Sequence, residues 1–180
     1  MKESSNQPKF RLYNVDMKYI RNLHHHDDKV PSVSPQINKQ NRVFLGIIIF
    51  LNNQKYCIPL SHAKTKYNKM TGKIDFSLIT DSDGKILAAL NFNLMIPVEE
   101  AQLSMVDINI KPKDSEFQRK YKILCRKELT WCRNHKDNII NKAKCLYELY
   151  HSGSSFAAKK RCLNFPLLEN ECKKYNTKEN

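Results

Sequence analysis

The stretch that decides the fold is VFLGIIIFL-NN-QKYCIPL, residues 43–60. Its first nine residues are almost all apolar and rich in β-branched and aromatic side chains, which is typical of a buried strand. Asn52 and Asn53 tolerate the positive φ angles that a two-residue hairpin turn requires. The residues from Gln54 to Leu60 return as a second strand. The stretch therefore predicts a β-hairpin.

Further strands are predicted on both sides of this hairpin. They cover residues 10–13, 74–79, 86–96 and 103–108, and a turn at 81–84 separates two of them. Polar or basic loops are predicted at 24–35 and 64–73. A single early helix is predicted directly after Asp16, whose side chain can cap its N-terminus.

The second half of the chain is helical in pattern. Ser115 and Gln118 form a capping-box pattern at the start of one helix, and an apolar stripe over 139–150 marks the next. Ser152 and Gly153 end that stripe, and a last helix is predicted at 163–175. Strands followed by helices predict an α+β fold, with a compact antiparallel sheet covered by helices. We expect one domain over residues 1–180, with flexible ends at 1–9 and 176–180.

The composition points to a polyanionic partner. The chain has 31 Lys and Arg against 18 Asp and Glu, a net charge of +13, which favours binding to nucleic acid. Only four glycines are present, and the sequence has neither a Gly-rich phosphate loop nor a G-x-S-x-G motif, which argues against NTPases and α/β-hydrolases. The apolar runs are too short to span a bilayer. We expect a cytoplasmic protein with no membrane partner, reduced cysteines and no structural zinc.

Ser61, His62 and Lys64 bring a hydroxyl, an imidazole and an ammonium group close together after the second hairpin strand. We expect Pro59 to end that strand, so that the three side chains meet in a polar turn. An imidazole exchanges protons near neutral pH, and a cation offsets developing negative charge. This cluster suits cleavage of a phosphodiester without a metal ion. The tetrapeptide SHAK at residues 61–64 also occurs by chance in proteins, so it is not a specific motif.

Two other groups of residues are open to more than one interpretation. The triplet at 24–26 invites a metal site, but consecutive helical residues point in different directions, so a histidine-rich helix terminus is the better interpretation. Nine Lys and Arg lie between Arg119 and Lys144; they form either a solvated helix face or a nucleic-acid-binding ridge. We favour the ridge. The residues expected to bind nucleic acid are Lys29, Lys39, Lys66, Tyr67, Arg119, Lys120, Lys122, Arg126 and Lys127.

Several islands of the sequence, taken in order, resemble the ToxN/AbiQ family, the endoribonuclease toxins of type III toxin–antitoxin systems. They are MKYIR at 17–21, DDKVP at 27–31, RVFLGI at 42–47, KYCIPLS at 55–61 and NFNLMIPV at 91–98, with Glu100 and Ala101 just after. The resemblance extends from about residue 10 to residue 175. No single island is diagnostic, but their order and spacing together make the match fairly specific.

The resemblance implies a twisted antiparallel sheet or barrel similar to the Kid/MazF toxins, surrounded by about four helices. It also implies metal-independent RNA cleavage that leaves a 2′,3′-cyclic phosphate and needs no cofactor. The implied partners are target mRNA and a small non-coding RNA antitoxin made of pseudoknot repeats. The toxin would process this RNA from a longer transcript. Toxin and antitoxin RNA would then form a closed protein–RNA assembly. The implied biological role is defence against phage by abortive infection.

The resemblance also suggests site residues. Tyr19, Arg42, Ser61 and Lys64 match its pattern, whereas His62 stands where the family has a second hydroxyl and Asn38 near a family tyrosine. We expect His62 to accept the 2′-hydroxyl proton, and Arg42 and Lys64 to stabilise the phosphorane. Ser61 would bind a non-bridging oxygen, and Tyr19 would orient or protonate the leaving 5′-oxygen. Two alternatives stay open: a non-catalytic RNA-binding module, and a MazF-like nuclease with a protein antitoxin.

Overall fold

The computed structural model describes residues 7–31, 44–65, 67 and 73–178. Within these residues, seven strands form one antiparallel sheet in the order β4-β5-β3-β2-β1-β7, with β6 paired to β3. The strands are β1 Leu12–Val15, β2 Phe44–Leu51, β3 Gln54–His62, β4 Phe76–Thr80, β5 Ile86–Asn91, β6 Ile96–Pro97 and β7 Leu103–Met105. The helices are α1 Met17–His26, α2 Glu116–Asn134, α3 Lys136–His151 and α4 Phe165–Lys178. This arrangement confirms the α+β prediction.

The predicted hairpin is confirmed as β2 and β3. Asn52 and Asn53 have φ angles of 46° and 63°, and β2 pairs with β3 from Leu51 to Gly46. β2 is almost entirely buried, and β3 is buried from Tyr56 to Pro59. Gly46 is required by the close approach of the two strands, because a Cβ there would clash with the carbonyl oxygen of Ile58 and the sulfur of Cys57.

The prediction that Pro59 ends the second strand is wrong. β3 continues to His62 and changes partner at this point: Pro59 is its last residue paired with β2, and Leu60 is its first residue paired with β5. Proline lacks an N–H and is tolerated where the hydrogen-bond ladder changes. Ser61 and His62 therefore lie on a strand and not in a turn.

Other element boundaries also differ from the predictions. Residues 24–26, for which the sequence predicts both a loop and a helix terminus, form the last turn of α1, so the helix terminus is confirmed. The strand predicted at 86–96 is divided into β5, a short 3₁₀ turn and β6. The helix starts are confirmed. Asp16 accepts a hydrogen bond from the Lys18 N–H, and Ser115 forms a reciprocal capping box with Gln118.

The helices cover the sheet and fix its strands. α1 packs against α4, α2 packs against β4 and β5, and α3 contacts β2. The Glu169 carboxylate on α4 accepts hydrogen bonds from the hydroxyls of Tyr56, at 2.5 Å, and Tyr147, at 2.7 Å. This network ties β3 to α3 and α4. No helix in the described part of the chain is both long and apolar enough to cross a membrane.

Candidate functional site

Ser61, His62 and Lys64 lie at the end of β3, where β3 pairs with β5. Ser61 pairs with Ala89 and His62 with Ala88. Neighbouring residues of a strand face opposite sides of the sheet, so Ser61 and His62 do not converge as a turn would place them. The Ser61 hydroxyl accepts a hydrogen bond of 2.9 Å from the Asn91 amide. His62 is exposed, and Lys64 is exposed two residues later.

Glu128 lies next to the imidazole of His62. The Nδ1 atom of His62 is 4.0 Å from Oε1 of Glu128, and the glutamate side chain is completely buried. Neither of its carboxylate oxygens has a hydrogen-bond partner among the described residues. Burial raises the pKa of Glu128 to about 7 because the charged form is disfavoured away from water. A carboxyl group with this pKa can gain or lose a proton near neutral pH.

Sequence reasoning missed Glu128, because it considered only the excess of Lys and Arg in this part of the chain. The available signal was its position on the apolar stripe of α2. It follows Cys125 by three residues and precedes Cys132 by four, and both cysteines are buried. An acidic residue on the buried face of a helix is uncommon and is therefore a candidate functional residue.

Tyr19 is placed in the core. Its side chain is completely buried, its hydroxyl donates a 2.8 Å hydrogen bond to the carbonyl of Pro97, and its ring packs edge-on against Tyr175. Burial, with a smaller contribution from Cys172, raises its pKa further above the ordinary range. This placement argues against direct contact between Tyr19 and RNA.

Tyr67 is also buried, and only 3% of the residue is exposed. Its N–H donates to the carbonyl of Lys64, which closes a turn just after β3. The buried ring is not presented to solvent for stacking on a base, contrary to the prediction. Arg42, Lys39, Lys66 and Asn38 lie outside the described residues.

The five predicted ridge residues do not form one uniform surface. Arg119, Lys120, Arg126 and Lys127 are exposed on α2. Lys120 pairs with Glu116 on the same helix. Lys122, by contrast, has a side chain only 13% exposed, and its ammonium group lies 2.8 Å from Asp114. Lys122 therefore anchors the segment before α2 and is not available to a phosphate as predicted.

An open groove of about 750 Å³ lies between α2 and the turn that joins β4 to β5. Arg126 and Lys127 line its α2 side, and Leu87 lies on the sheet side. Trp131 also lines the groove, and its ring stacks on His135 with 4.0 Å between the ring centres. The groove thus combines positive charge with an aromatic ring, the two features that bind single-stranded nucleic acid.

The remaining predicted basic residue, Lys29, lies just beyond α1. Its ammonium group donates to the carbonyl of Cys162. The neighbouring histidines have different partners: His24 Nδ1 is 2.7 Å from the Val30 carbonyl, and His26 Nε2 is 3.2 Å from Glu171. Within the described ranges, no group of three His, Cys, Asp or Glu is arranged to hold a metal ion.

The fold agrees with the comparisons with known proteins. The family described as toxin ToxN of type III toxin–antitoxin systems matches residues 11–173. The chain belongs to this family. It is 28% identical over 162 residues to the endoribonuclease ToxN of Pectobacterium atrosepticum, an alignment that covers 88% of this chain and 90% of the relative.

Two solved structures of similar proteins share the fold of this ToxN-family chain. One, which belongs to a bacterial antiviral system regulated by a processed non-coding RNA, is 26% identical and has a TM-score of 0.75; the match covers 91% of this chain and 97% of the other. The second comes from a type III system in which a non-coding RNA pseudoknot selectively inhibits the toxin. It is 24% identical, also has a TM-score of 0.75, and the match covers 94% of this chain and 99% of the other.

Proposed function

We propose that this protein is an endoribonuclease toxin that is inhibited by a small RNA antitoxin with a pseudoknot fold. The observation that carries the proposal is the family match over residues 11–173. In addition, this chain aligns with almost the whole length of a relative that is named as an endoribonuclease. The net charge of +13 and the exposed basic residues of α2 support an RNA substrate and an RNA partner.

The proposed reaction is an intramolecular transesterification that needs no metal ion. His62 takes the proton of the substrate's 2′-hydroxyl, and the 2′-oxygen forms a bond to the adjacent phosphorus. The bond from phosphorus to the 5′-oxygen breaks, and that oxygen takes a proton from Lys64 or from water. One RNA product ends in a 2′,3′-cyclic phosphate and the other in a 5′-hydroxyl. Lys64 and Arg42 offset the extra negative charge on the phosphorane.

The cleavage test compares wild-type protein with His62→Gln and Lys64→Ala on RNA in the presence of EDTA. We expect the wild type to give discrete fragments with cyclic-phosphate ends. Each substitution should lower the rate by about 10²–10⁴-fold, the usual contribution of one acid–base group. Lys173→Ala, which changes an exposed lysine of α4, is the matched control and should cleave at the wild-type rate.

A strict requirement for added Mg²⁺ or Mn²⁺ in the cleavage step would contradict the proposed mechanism. Full activity in both variants would exclude His62 and Lys64 as catalytic residues. Tight RNA binding without any cleavage by the wild-type protein would identify a non-catalytic RNA-binding module instead.

We also propose that the antitoxin RNA binds the exposed basic residues of α2. A triple variant with Arg119, Lys120 and Lys127 changed to alanine should bind antitoxin RNA more weakly at low salt. When the logarithm of the RNA association constant is plotted against the logarithm of the salt concentration, the slope for this variant should be shallower by roughly 0.7–0.9 for each lost phosphate contact. If protein and RNA alternate in a closed ring, the variant should also form smaller complexes. Unchanged affinity, slope and complex size would mean that these residues form a solvated helix face.

A further inference from the structure

The buried carboxylate of Glu128 has no structural partner that explains it. Its side chain is 0% exposed, and neither oxygen has a hydrogen bond within the described part of the chain. Removing a carboxylate from water is unfavourable, and buried polar groups in proteins are almost always hydrogen-bonded. The basic group beside it is the imidazole of His62. Glu128 therefore faces the candidate site and not a partner in the core.

We propose that Glu128 is a positioning residue that holds the imidazole of His62 through its Nδ1–H. The inference rests on the proposed function, because it assigns His62 as the base that accepts the 2′-hydroxyl proton. The distance of 4.0 Å is longer than a hydrogen bond. Such contacts are often long without substrate and shorten in the substrate complex, and the His62 side chain, 62% exposed, has room to rotate.

The geometry sets which ring nitrogen is free to react. Nδ1 is the nitrogen that faces Glu128, so Nε2, on the other side of the ring, is left for the substrate. A hydrogen bond from Nδ1–H to the carboxylate selects the tautomer whose Nε2 carries a lone pair. That lone pair can take the 2′-hydroxyl proton without a change of tautomer.

Both residues are held by regular structure. His62 is the last residue of β3 and pairs with Ala88 of β5. Glu128 lies in the middle of α2, between Cys125 and Cys132, which are buried, and α2 packs against β5. The carboxylate and the imidazole are thus placed by the packing of a helix on a sheet, and such sites hold their geometry better than sites on loops.

The charges around Glu128 also fit this role. Among the described residues, the titratable groups that interact with it are Tyr121, Cys125 and Cys132 on α2, and His62 on β3. The sequences of β4 and β5 contain no titratable residue. Burial, with the charge of Glu128 as a smaller cause, raises the pKa of Cys125 to about 11 and that of Cys132 to about 12. Burial also raises the pKa of Tyr121. The two thiols and this phenol stay neutral near pH 7, so among these described groups His62 is the partner with which the carboxylate can share a proton.

Glu128 would then stabilise the imidazolium that forms when His62 accepts the proton. Opposite charges attract more strongly in a buried environment than in water. Since the carboxylate itself is buried, it does not touch RNA and acts only through His62. This dependence on His62 is what an experiment can test.

A double-mutant cycle tests the dependence. It compares RNA cleavage, measured in single turnovers, by Glu128→Gln, His62→Gln and the double variant. We expect Glu128→Gln to lower the cleavage rate by at least about tenfold. The loss should not exceed the roughly 10²–10⁴-fold loss expected for His62→Gln. In the His62→Gln background, Glu128→Gln should change the rate by less than about twofold. Glu148→Gln, an exposed residue of α3, is the matched control and should keep the wild-type rate.

A full cleavage rate in Glu128→Gln would overturn the inference. So would an equal loss in both backgrounds, because Glu128 would then act independently of His62. The affinity for antitoxin RNA should be the same in Glu128→Gln and the wild type. A matching loss of RNA affinity would show a general structural effect and would also overturn the assignment.

Nitrogen-15 NMR of the His62 ring separates this inference from the proposed function. At alkaline pH, the wild-type spectrum should show the tautomer protonated at Nδ1. Glu128→Gln should shift the ring toward protonation at Nε2. Absence of RNA cleavage by the wild type would remove the proposed function but leave this test valid. A wild-type ring protonated at Nε2 would overturn the pairing, whether or not the variant folds.

Discussion

Replacing Glu128 with glutamine should make the folded protein more stable at alkaline pH. Glutamine has almost the same shape as a protonated glutamate but cannot ionise, so the substitution removes the charge whose burial is unfavourable. Without RNA, the imidazole of His62 lies 4.0 Å from the carboxylate, too far for a hydrogen bond, so the stability of the free protein depends mainly on this charge. Burial raises the pKa of Glu128 in the folded protein from the ordinary 4.5 to about 7. The folded protein therefore binds this proton more tightly than the unfolded chain does.

The sign and size of the effect follow from these two pKa values. Below about pH 4.5 the carboxyl is protonated in both states and has no effect on the pH dependence of stability. As the pH rises toward 7, the unfolded chain loses the proton while the folded protein keeps it, so the free energy of unfolding falls. The total loss is about 3 kcal/mol above pH 7, since one pKa unit corresponds to about 1.4 kcal/mol.

Urea denaturation, followed by the fluorescence of Trp131, measures this difference. The sequence has one tryptophan, and it lies on α2 close to Glu128. Near pH 5, Glu128→Gln and the wild type should differ by less than about 1 kcal/mol; near pH 8 the variant should be more stable by about 2–3 kcal/mol. The exposed control Glu148→Gln should stay within about 0.5 kcal/mol of the wild type at both pH values.

A stability difference that is the same at both pH values would refute the reasoning, because it would not come from ionisation of Glu128. A variant that is less stable than the wild type near pH 8 would show that the carboxylate makes a favourable interaction in the folded state. Together with the expected loss of cleavage, a more stable Glu128→Gln would mean that the wild-type protein gives up stability at its site for function.

Two further substitutions test how the sheet is held together, again by urea denaturation. Gly46→Ala should lower the free energy of unfolding by about 1–3 kcal/mol, because the added Cβ would clash with the Ile58 carbonyl oxygen. An unchanged free energy of unfolding would mean that β2 and β3 can move apart without strain. Glu169→Ala should lower it by about 2–4 kcal/mol, because the hydroxyls of Tyr56 and Tyr147 lose their acceptor. The matching variant Tyr147→Phe should have a smaller effect, and an equal effect of the two would contradict the shared network.

The central hairpin could be predicted from the sequence because its signals are local. The apolar run of β2 and the pair Asn52 and Asn53 define both strands without reference to the rest of the chain. The extension of β3 past Pro59 could not be predicted in this way. It depends on pairing with β5, and nothing near Pro59 in the sequence indicates that β3 changes partner there.

The candidate site was predictable only in part, for the same reason. His62 and Lys64 are close in sequence and were found, whereas Glu128 reaches His62 only through the packing of α2 on the sheet. Charge counting also could not separate Lys122, which is paired with Asp114, from its exposed neighbours on α2. Tyr19 matched the family pattern, but it shares the buried face of α1 with Ile20, and that position decides its role.

The change of partner along β3 has a consequence for dynamics. Six residue pairs join β3 to β2, whereas three join its last residues, from Leu60 to His62, to β5. A short ladder at a strand end can open without unfolding of the core, so its opening free energy lies below that of the whole domain. Amide hydrogen exchange should accordingly be faster at Ser61 and His62 than at Ile58. The end of the strand that carries Ser61 and His62 would then form a separate, less cooperative unit, which binding of RNA would order.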